Sequence, residues 1–402
     1  MNYRILKIAF FLVLSLIEIS YAQKFFTQKE YLQLVEKQSP DLMAERAAVD
    51  ESLARSAGIR LPPPMLGFMN MRESGEQNNG IEFSQEIPLP SKINKDLQMR
   101  EIEKKTQEKV FNYKSKQILT LAKNAYLDFW MAFEKHRLLL EKKHWYLGHL
   151  KISRVVAKSD NASQAHFLEI ETGADLIEND LLSAENELFQ KKLGLKVYAP
   201  LLVLENLVPF TPDSTLEEIK SLELILKDKR NAEISIKEAE VDFMETSRDL
   251  KKQSYFPDLF VRYRAYEGNQ MTPKNEEFMV GVTLPFFYFW QPKAEIKELE
   301  AKVARARAEL NKVSIESTNL IAGNLKKIEV LQEQLKRLKE KMIPRAQKRA
   351  KIVEIQPARS MEILDSQRMV WLDLLQMREK EIEIKVELEK LISETQKLGD
   401  SN

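Results

Sequence analysis

The 402-residue chain contains no cysteine. This absence excludes disulfides, zinc–thiolate sites and thiol nucleophiles, and it also excludes a lipid anchor on an N-terminal cysteine. Helix breakers are scarce, with 11 glycines and 15 prolines, whereas 31% of the residues are charged. A long charged chain with few breakers is predicted to form long helices rather than several compact domains.

The charges nearly balance, which leaves a formal net charge of +1. Such a balance provides no basic surface for nucleic acid. Beyond the N-terminal region the chain also lacks an apolar run long enough for a transmembrane helix. We therefore expect no nucleic-acid partner and no helical membrane span in the mature protein.

The N-terminal segment, residues 1–22, has the pattern of a secretory signal peptide. Arg4 and Lys7 precede a short apolar run, and small residues lead to a cleavage site between Ala22 and Gln23. A membrane anchor is the alternative, but the run is shorter than the ~20 residues that a spanning helix needs. We expect export from the cytoplasm.

The segment Gly80–Lys92, GIEFSQEIPLPSK, combines two patterns. Its first half alternates apolar and polar residues, as a strand with one wet face does. Pro88 and Pro90 then end the strand, and Ser91 is expected to cap a helix that continues to about Ala157. A second junction of this kind carries Pro285 and Pro292. We interpret both as places where a sheet becomes a long helix.

The order of predicted elements repeats along the chain. Repeat 1, residues 23–213, comprises a helix, a β-hairpin over 65–90, a long helical hairpin over 92–195 and a linker over 196–213. Repeat 2, residues 214–402, comprises a helix to about Tyr255, a β-hairpin over 258–290 and a helical hairpin over 292–398. Matching prolines are offset by about 196 residues, which indicates a tandem duplication.

Polar turns are expected at Ser74–Asn79 and Glu267–Glu277. In the long helix after Pro292, apolar residues follow three-four spacing from Ile296 to Leu320. The series resumes at Ile328 after a stutter, which is placed after Asn324. This spacing predicts coiled-coil packing; a helical-bundle core is the alternative.

The predicted strands indicate where function lies. Leu259, Val261 and Tyr263 alternate with Arg262 and Arg264, and Phe278–Pro285 alternates in the same way. A soluble sheet is the alternative, but alternation over ~9–11 residues is typical of transmembrane β-barrel strands with a polar lumen. On this interpretation the lumen-facing charges are Glu82, Glu86, Arg262 and Arg264.

Four strands per chain cannot close a barrel, and an open sheet edge is not tolerated in lipid. Several chains must then share one barrel, and three chains supply twelve strands. The run Phe286–Trp290 follows the fourth strand and fits an aromatic belt at the bilayer surface, with a local hydrophobic cluster as the alternative.

Several motifs carry a resemblance to the TolC-like outer-membrane efflux family. They are Leu61-Pro62-Pro63-Pro64-Met65, Phe83–Lys92, Tyr255–Leu259, Val280–Pro285 and Ile363–Arg368. The segment SQEIPLP is most similar to the branch that works with heavy-metal pumps. The resemblance covers about Thr27 to Leu398.

The resemblance implies a mainly α fold with a small β part. Tandem long helical hairpins would form a trimeric α-barrel, and four strands per chain would join a shared 12-stranded transmembrane β-barrel. It also implies a homotrimer in the outer membrane of a Gram-negative-type cell, in contact with lipid and reaching far into the periplasm. The trimer would be the exit duct of a tripartite efflux or secretion system, docked to a periplasmic adaptor and an inner-membrane pump.

The ends of the helical hairpins are the candidate adaptor-docking sites: Lys158, Ser159, Asp160, Asn161, Glu354, Gln356, Pro357 and Arg359. Both ends lack the glycine-containing element common in the family. Asp160, Glu362 and Asp365 are candidate gate residues, because rings of acidic groups can select cations at a constriction. Solvated charge at helix ends is the alternative.

No catalytic set or cofactor motif stands out, so we do not expect an enzyme. His144 and His149 are five residues apart, a spacing that does not place them on one helical face, so no metal site is predicted. The main alternative function is a periplasmic coiled-coil adaptor or scaffold without a membrane barrel. That alternative fits poorly, because an adaptor would need more strands and glycine.

Overall fold

The computed structural model describes residues 24–73, 76–158, 161–212, 222, 231–267, 274–283, 290–355 and 361–399. The expected signal peptide and its cleavage site at Ala22–Gln23 lie outside these ranges. The same holds for six predicted site residues: Ser159, Asp160, Pro285, Gln356, Pro357 and Arg359.

The chain is mainly α-helical with a small antiparallel sheet, as predicted. Its elements are β1 (Lys24–Phe26), α1 (Gln28–Gln38), α2 (Pro40–Ser56), β2 (Met65–Glu73), β3 (Glu76–Ile87), α3 (Pro90–Val156), α4 (Asn161–Tyr198), β4 (Leu207–Pro209), α5 (Ala232–Lys252), β5 (Leu259–Tyr266), β6 (Asn275–Val282), α6 (Trp290–Arg337), α7 (Ile343–Glu354) and α8 (Met361–Leu398). Helix α3 alone has 67 residues and is roughly 100 Å long. Among the described helices, none has a stretch both long and apolar enough to cross a membrane.

The chain folds into two compact units. One takes its residues from 1–44, 113–230 and 318–402, and the other from 45–112 and 231–317. Each unit therefore draws on both halves of the sequence. The predicted duplication divides the chain by sequence order, into residues 23–213 and 214–402, and not by spatial contacts. It therefore stays a prediction.

Both strand hairpins extend further into the predicted polar turns than expected. Strands β2 and β3 remain paired as far as Glu73 and Glu76, and β6 begins at Asn275, opposite Tyr266. Backbone pairing continues here although the sequence is mostly polar, because ladder hydrogen bonds are made by backbone groups. At its other end β6 stops at Val282, before the predicted end of the strand at Pro285.

Helix α5 begins later than predicted. The residue before it, Asn231, has an extended backbone, and its side chain accepts hydrogen bonds from the Glu233 and Ile234 N–H groups. An asparagine in this role is a strong N-cap. The prediction of one helix from Ser214 to about Tyr255 is therefore wrong at Asn231, where the helix has a start instead.

The apolar stripe of α6 confirms the predicted spacing as far as Ser317, which is buried. The next buried position is Ile321, while Leu320 is 52% exposed. Two successive steps of four, from Val313 to Ser317 and on to Ile321, place the stutter here rather than after Asn324.

A π-helical turn, Leu338–Met342, interrupts the predicted long helix. The reason lies in Pro344, which cannot donate a backbone hydrogen bond inside a helix. The extra residue in the turn moves the buried stripe from Leu338 to Ile343 and leaves Met342 exposed. Packing therefore continues into α7 although the helix is not regular.

An aromatic core holds the N-terminal strand in place. Strand β1 pairs in parallel with β4, a pairing that the predicted irregular linker over 196–213 missed. The rings of Tyr31 and Tyr126 are fully buried and stack at 6.1 Å. The Tyr126 hydroxyl donates to the Phe26 carbonyl at 2.6 Å and accepts from the Phe210 N–H at 3.0 Å.

Removal of this hydroxyl should destabilise the protein. Tyr126→Phe removes the buried hydroxyl and its hydrogen bonds to the Phe26 carbonyl and the Phe210 N–H, which stay bonded to each other at 3.0 Å; the free energy of unfolding should fall by about 0.5–1.5 kcal/mol. The matched control is Tyr255→Phe, at a partly exposed ring. Urea unfolding followed by circular dichroism would measure both; equal midpoints for the two variants would contradict this account.

Candidate functional site

The sheet has the order β2-β3-β5-β6, with neighbouring strands antiparallel. Residues directly opposite one another share a face of the sheet. Phe83 lies opposite both Leu66 and Tyr263, whereas Glu82 lies opposite Gly67 and Arg264. In the central rows one face is therefore apolar and the other carries Glu82, Arg262 and Arg264, as the predicted alternation requires; Glu276 lies on the apolar face near the hairpin turn.

Among the described residues, nothing covers the apolar face. Phe68 is 88% exposed and Phe278 is 70% exposed. Other large side chains on this face are exposed as well: Leu66, Ile81, Phe83, Leu259, Tyr263, Val280 and Val282. Contiguous apolar surface of this kind marks an interaction surface with protein or lipid.

The polar face brings together three of the four predicted lumen residues. Glu82 lies 3.1 Å from Arg262 and 2.9 Å from Arg264, measured between Nε and carboxylate oxygens. The fourth, Glu86, lies on the same face opposite Phe260. Glycine at position 281 makes room for the Phe260 ring, since a Cβ there would come within 2.3 Å of it.

The strand–helix junction lies immediately beyond the sheet. Strand β3 ends at Ile87, Pro88 follows, and Pro90 is the first residue of α3, where its missing N–H costs nothing. The expected cap at Ser91 is wrong. Leu89 precedes the helix, its carbonyl accepts from the Lys92 and Ile93 N–H groups, and the Ser91 hydroxyl instead contacts the Gln253 side chain at 3.1 Å.

Asp258 connects the junction to the second hairpin. Its carboxylate accepts from the Leu89 N–H at 3.2 Å and pairs with the Lys92 Nζ at 2.6 Å. Its backbone exchanges two hydrogen bonds with Thr283, both at 2.8 Å. Lys92 and Asp258 are 166 residues apart in sequence, so no local pattern could have indicated this contact.

The remaining junction proline, Pro292, is buried in the first turn of α6. Helix α6 begins before it, at Trp290, which is 58% exposed. The rest of the predicted aromatic belt, residues 286–289, lies outside the part of the chain that the structure describes.

The hairpin ends carry the other predicted residues. Lys158 is exposed just after α3, and α4 starts at Asn161. Glu354 ends α7 and is exposed, and Glu362 is exposed in the first turn of α8. The gate candidate Asp365 is instead half-buried and paired within its own chain.

A charge cluster joins α4 to α8 near these ends. The Arg368 Nη2 contacts Asp365 at 2.6 Å and Glu169 at 3.0 Å. His166 bridges the same two carboxylates, at 3.2 Å to Glu169 and 3.3 Å to Asp365. The Arg368 guanidinium lowers the pKa of Glu169 by hydrogen bonding and charge. The four residues tie the first helical hairpin to the second.

His149 on α3 lies beside this cluster and is 5% exposed. Its ring stacks on Trp145 with centroids 4.7 Å apart. Burial, with Arg368 and His166 nearby, lowers the pKa of His149 from 6.5 to about 4, although Asp365 and the Leu364 carbonyl act in the opposite sense. The imidazole is therefore neutral at pH 7. Sequence spacing missed this residue, because its neighbours come from distant helices.

Across the described ranges, no cluster of three or more histidine, aspartate or glutamate side chains could hold a metal ion.

Solved structures share this arrangement of elements. The open-state outer-membrane channel MtrE of Neisseria gonorrhoeae is 12% identical with a TM-score of 0.73, over 92% of this chain and 88% of that chain. The outer-membrane channel CmeC of Campylobacter jejuni is 12% identical with a TM-score of 0.70, over 92% and 85%. CusC, whose structures describe transmembrane channel formation, is 13% identical with a TM-score of 0.68, over 93% and 92%.

No family profile and no curated protein sequence matches the chain. The similarity to solved structures nevertheless shows that the chain has the TolC-like fold expected from its junction motifs.

Loss of the Asp258 side chain should weaken the junction. Asp258→Ala leaves the Leu89 N–H without its acceptor and leaves the largely buried Lys92 Nζ with only the Phe256 carbonyl, which should cost about 1.5–3 kcal/mol of stability. Asp249→Ala is the matched control, because Asp249 is more exposed than Asp258 and pairs with its sequence neighbour Arg248; pairs near the surface contribute about 0–1 kcal/mol. Urea midpoints measure both, and an Asp249 effect as large as that of Asp258 would contradict the assignment.

Acid should destabilise the protein through His149. Because its pKa is lower in the folded chain than in the unfolded chain, the unfolded state binds the proton first as the pH falls below 6.5. Stability is then lost between pH 6.5 and about 4, by about 2 kcal/mol between pH 7 and 5. His149→Phe should remove this component from unfolding curves measured at the two pH values. His144→Phe, at an exposed histidine on the same helix, is the control; an unchanged pH dependence in His149→Phe would refute the assignment.

Proposed function

We propose that the chain belongs to the TolC-like outer-membrane efflux family and acts as an exit duct. The observation that supports this most directly is the uncovered apolar face of the sheet, joined to long helical hairpins. Lipid is the partner that fits such a face, because the charges of the central rows, Glu82, Glu86, Arg262 and Arg264, lie on the opposite side. Glu276, opposite Ala265, is on the apolar face only near the hairpin turn. Water and substrates would then pass along the charged face.

Three chains would share one barrel. In the order β2-β3-β5-β6, strands β2 and β6 are the edges, and a sheet edge in lipid leaves backbone groups without hydrogen bonds. Pairing of β6 with β2 of the next chain would close twelve strands in a trimer. In that barrel the lumen-facing charges are Glu82, Glu86, Arg262 and Arg264, with Pro88, Pro90, Pro285 and Pro292 at its junction with the helices.

The helical hairpins would extend into the periplasm and end at the partner proteins. In this proposal the docking residues for a periplasmic adaptor and an inner-membrane pump are Lys158, Ser159, Asp160, Asn161, Glu354, Gln356, Pro357 and Arg359. Asp160, Glu362 and Asp365 would form the gate. Asp365 pairs with Arg368 and His166 in its own chain. A gate movement that displaced Asp365 alone would therefore break these ion pairs.

Delivery to the outer membrane would require the signal peptide, residues 1–22, with cleavage between Ala22 and Gln23. The duct itself would need no cofactor and perform no catalysis, since the pump would supply the energy. The tandem repeats, residues 23–213 and 214–402, would place two strands and one helical hairpin each in the wall.

Two neighbouring substitutions on β6 test the membrane assignment. Val280→Lys puts a charge on the apolar face, which should cost about 2–4 kcal/mol in the bilayer and abolish carbonate-resistant outer-membrane fractionation. Met279→Lys is the matched control, because Met279 lies opposite Arg262 on the polar face. Met279→Lys should leave outer-membrane fractionation unchanged, together with the amount of trimer that chemical crosslinking detects.

Equal membrane recovery of both variants would contradict the proposal. Recovery of the unchanged protein as a soluble periplasmic monomer would contradict it as well and would support a coiled-coil adaptor or scaffold instead.

A further inference from the structure

A cavity of about 640 Å³ lies near the ends of the helical hairpins. Helix α3 contributes Trp145 and His149, α7 contributes Glu354, and α8 contributes Gln367 and Trp371. Its size is within the range of about 300–1,000 Å³ that holds drug-sized ligands. The first and second helical hairpins both supply walls.

Two half-buried tryptophans dominate the cavity. The rings of Trp145 and Trp371 are 6.2 Å apart and tilted by 35°. The Trp145 ring also stacks on the neutral His149 ring, with centroids 4.7 Å apart. Indole faces carry negative electrostatic potential and attract organic cations, most strongly where water is excluded.

The charge of the lining is consistent with the same ligand class. Glu141 and Glu354 provide carboxylates, and no lysine or arginine lines the cavity within the described part of the chain. Glu141 is balanced by Arg378, at 2.7 Å, so Glu354 is the carboxylate better placed to select a positive ligand.

We propose that this cavity binds a planar aromatic cation, one per chain. Stacking on Trp371 and attraction to Glu354 would provide the affinity. A ligand here would contact α3 of the first hairpin and both α7 and α8 of the second, so it would favour the arrangement in which the hairpins are tied together. Binding at this cavity does not require that the chain transports anything.

Ethidium is a suitable probe, since it is a planar aromatic cation and its fluorescence anisotropy rises on binding. The purified full chain in detergent should bind it saturably with one site per chain. Trp371→Leu should weaken binding by about tenfold or more and Glu354→Gln by about threefold. Trp371→Phe, which keeps a ring, should weaken it less than Trp371→Leu.

Glu329→Gln, at an exposed carboxylate remote from the cavity lining, is the control and should bind as the unchanged protein does. Circular dichroism melting establishes that each variant is folded. If Trp371→Leu fails to fold, the Trp371→Phe and Glu354→Gln titrations carry the test.

Three results would overturn the proposal. They are the absence of saturable ethidium binding, unchanged affinity in folded Trp371 and Glu354 variants, and equally tight binding of the planar aromatic anion anilinonaphthalene sulfonate. The first two would exclude the site, and the third would exclude its selectivity for cations.

Discussion

The rest of the architecture depends on one constraint: the apolar face of the four-stranded sheet needs an apolar partner. The described part of the chain leaves that face exposed. Strand geometry sends alternate side chains to opposite faces, so Phe83 and Phe278 are exposed together while Glu82 and Arg264 pair behind them. Such a sheet is stable only against another apolar phase, and its open edges need further strands. Lipid and two further copies of the chain would satisfy both needs in the proposed trimer.

The junction must convert strands into helices without losing this arrangement. Pro88 and Pro90 end the ladder and start α3, but they do not determine where the helix points. That role falls to Asp258, which bonds to Leu89, Lys92 and Thr283 and so joins both strand hairpins to one helix start. The lysine–carboxylate contact is half-buried, where screening by water and salt is weaker than at an open surface.

Strand faces and long helices could be predicted from sequence, because a period of two or of about 3.6 is a local property of the chain. The predictions of the turn lengths, of the Ser91 cap and of a continuous helix through Asn231 were wrong. Each of these features depends on which groups are close enough to hydrogen-bond to the backbone. The π-turn before Pro344 and the stutter at Ile321 depend on keeping a packed stripe in register. The cluster around Arg368 joins residues as far as 199 positions apart, and only the fold brings them together.

The absence of cysteine allows the central claim to be tested directly. Single cysteines placed in turn along Leu259–Tyr266 and Phe278–Val282 can be labelled in membranes with a charged, water-soluble maleimide. A sheet embedded in lipid predicts alternating reactivity: positions on the face of Arg262 and Arg264 react, and those on the face of Val261 and Tyr263 do not. Equal labelling on both faces would contradict a sheet that is embedded in lipid.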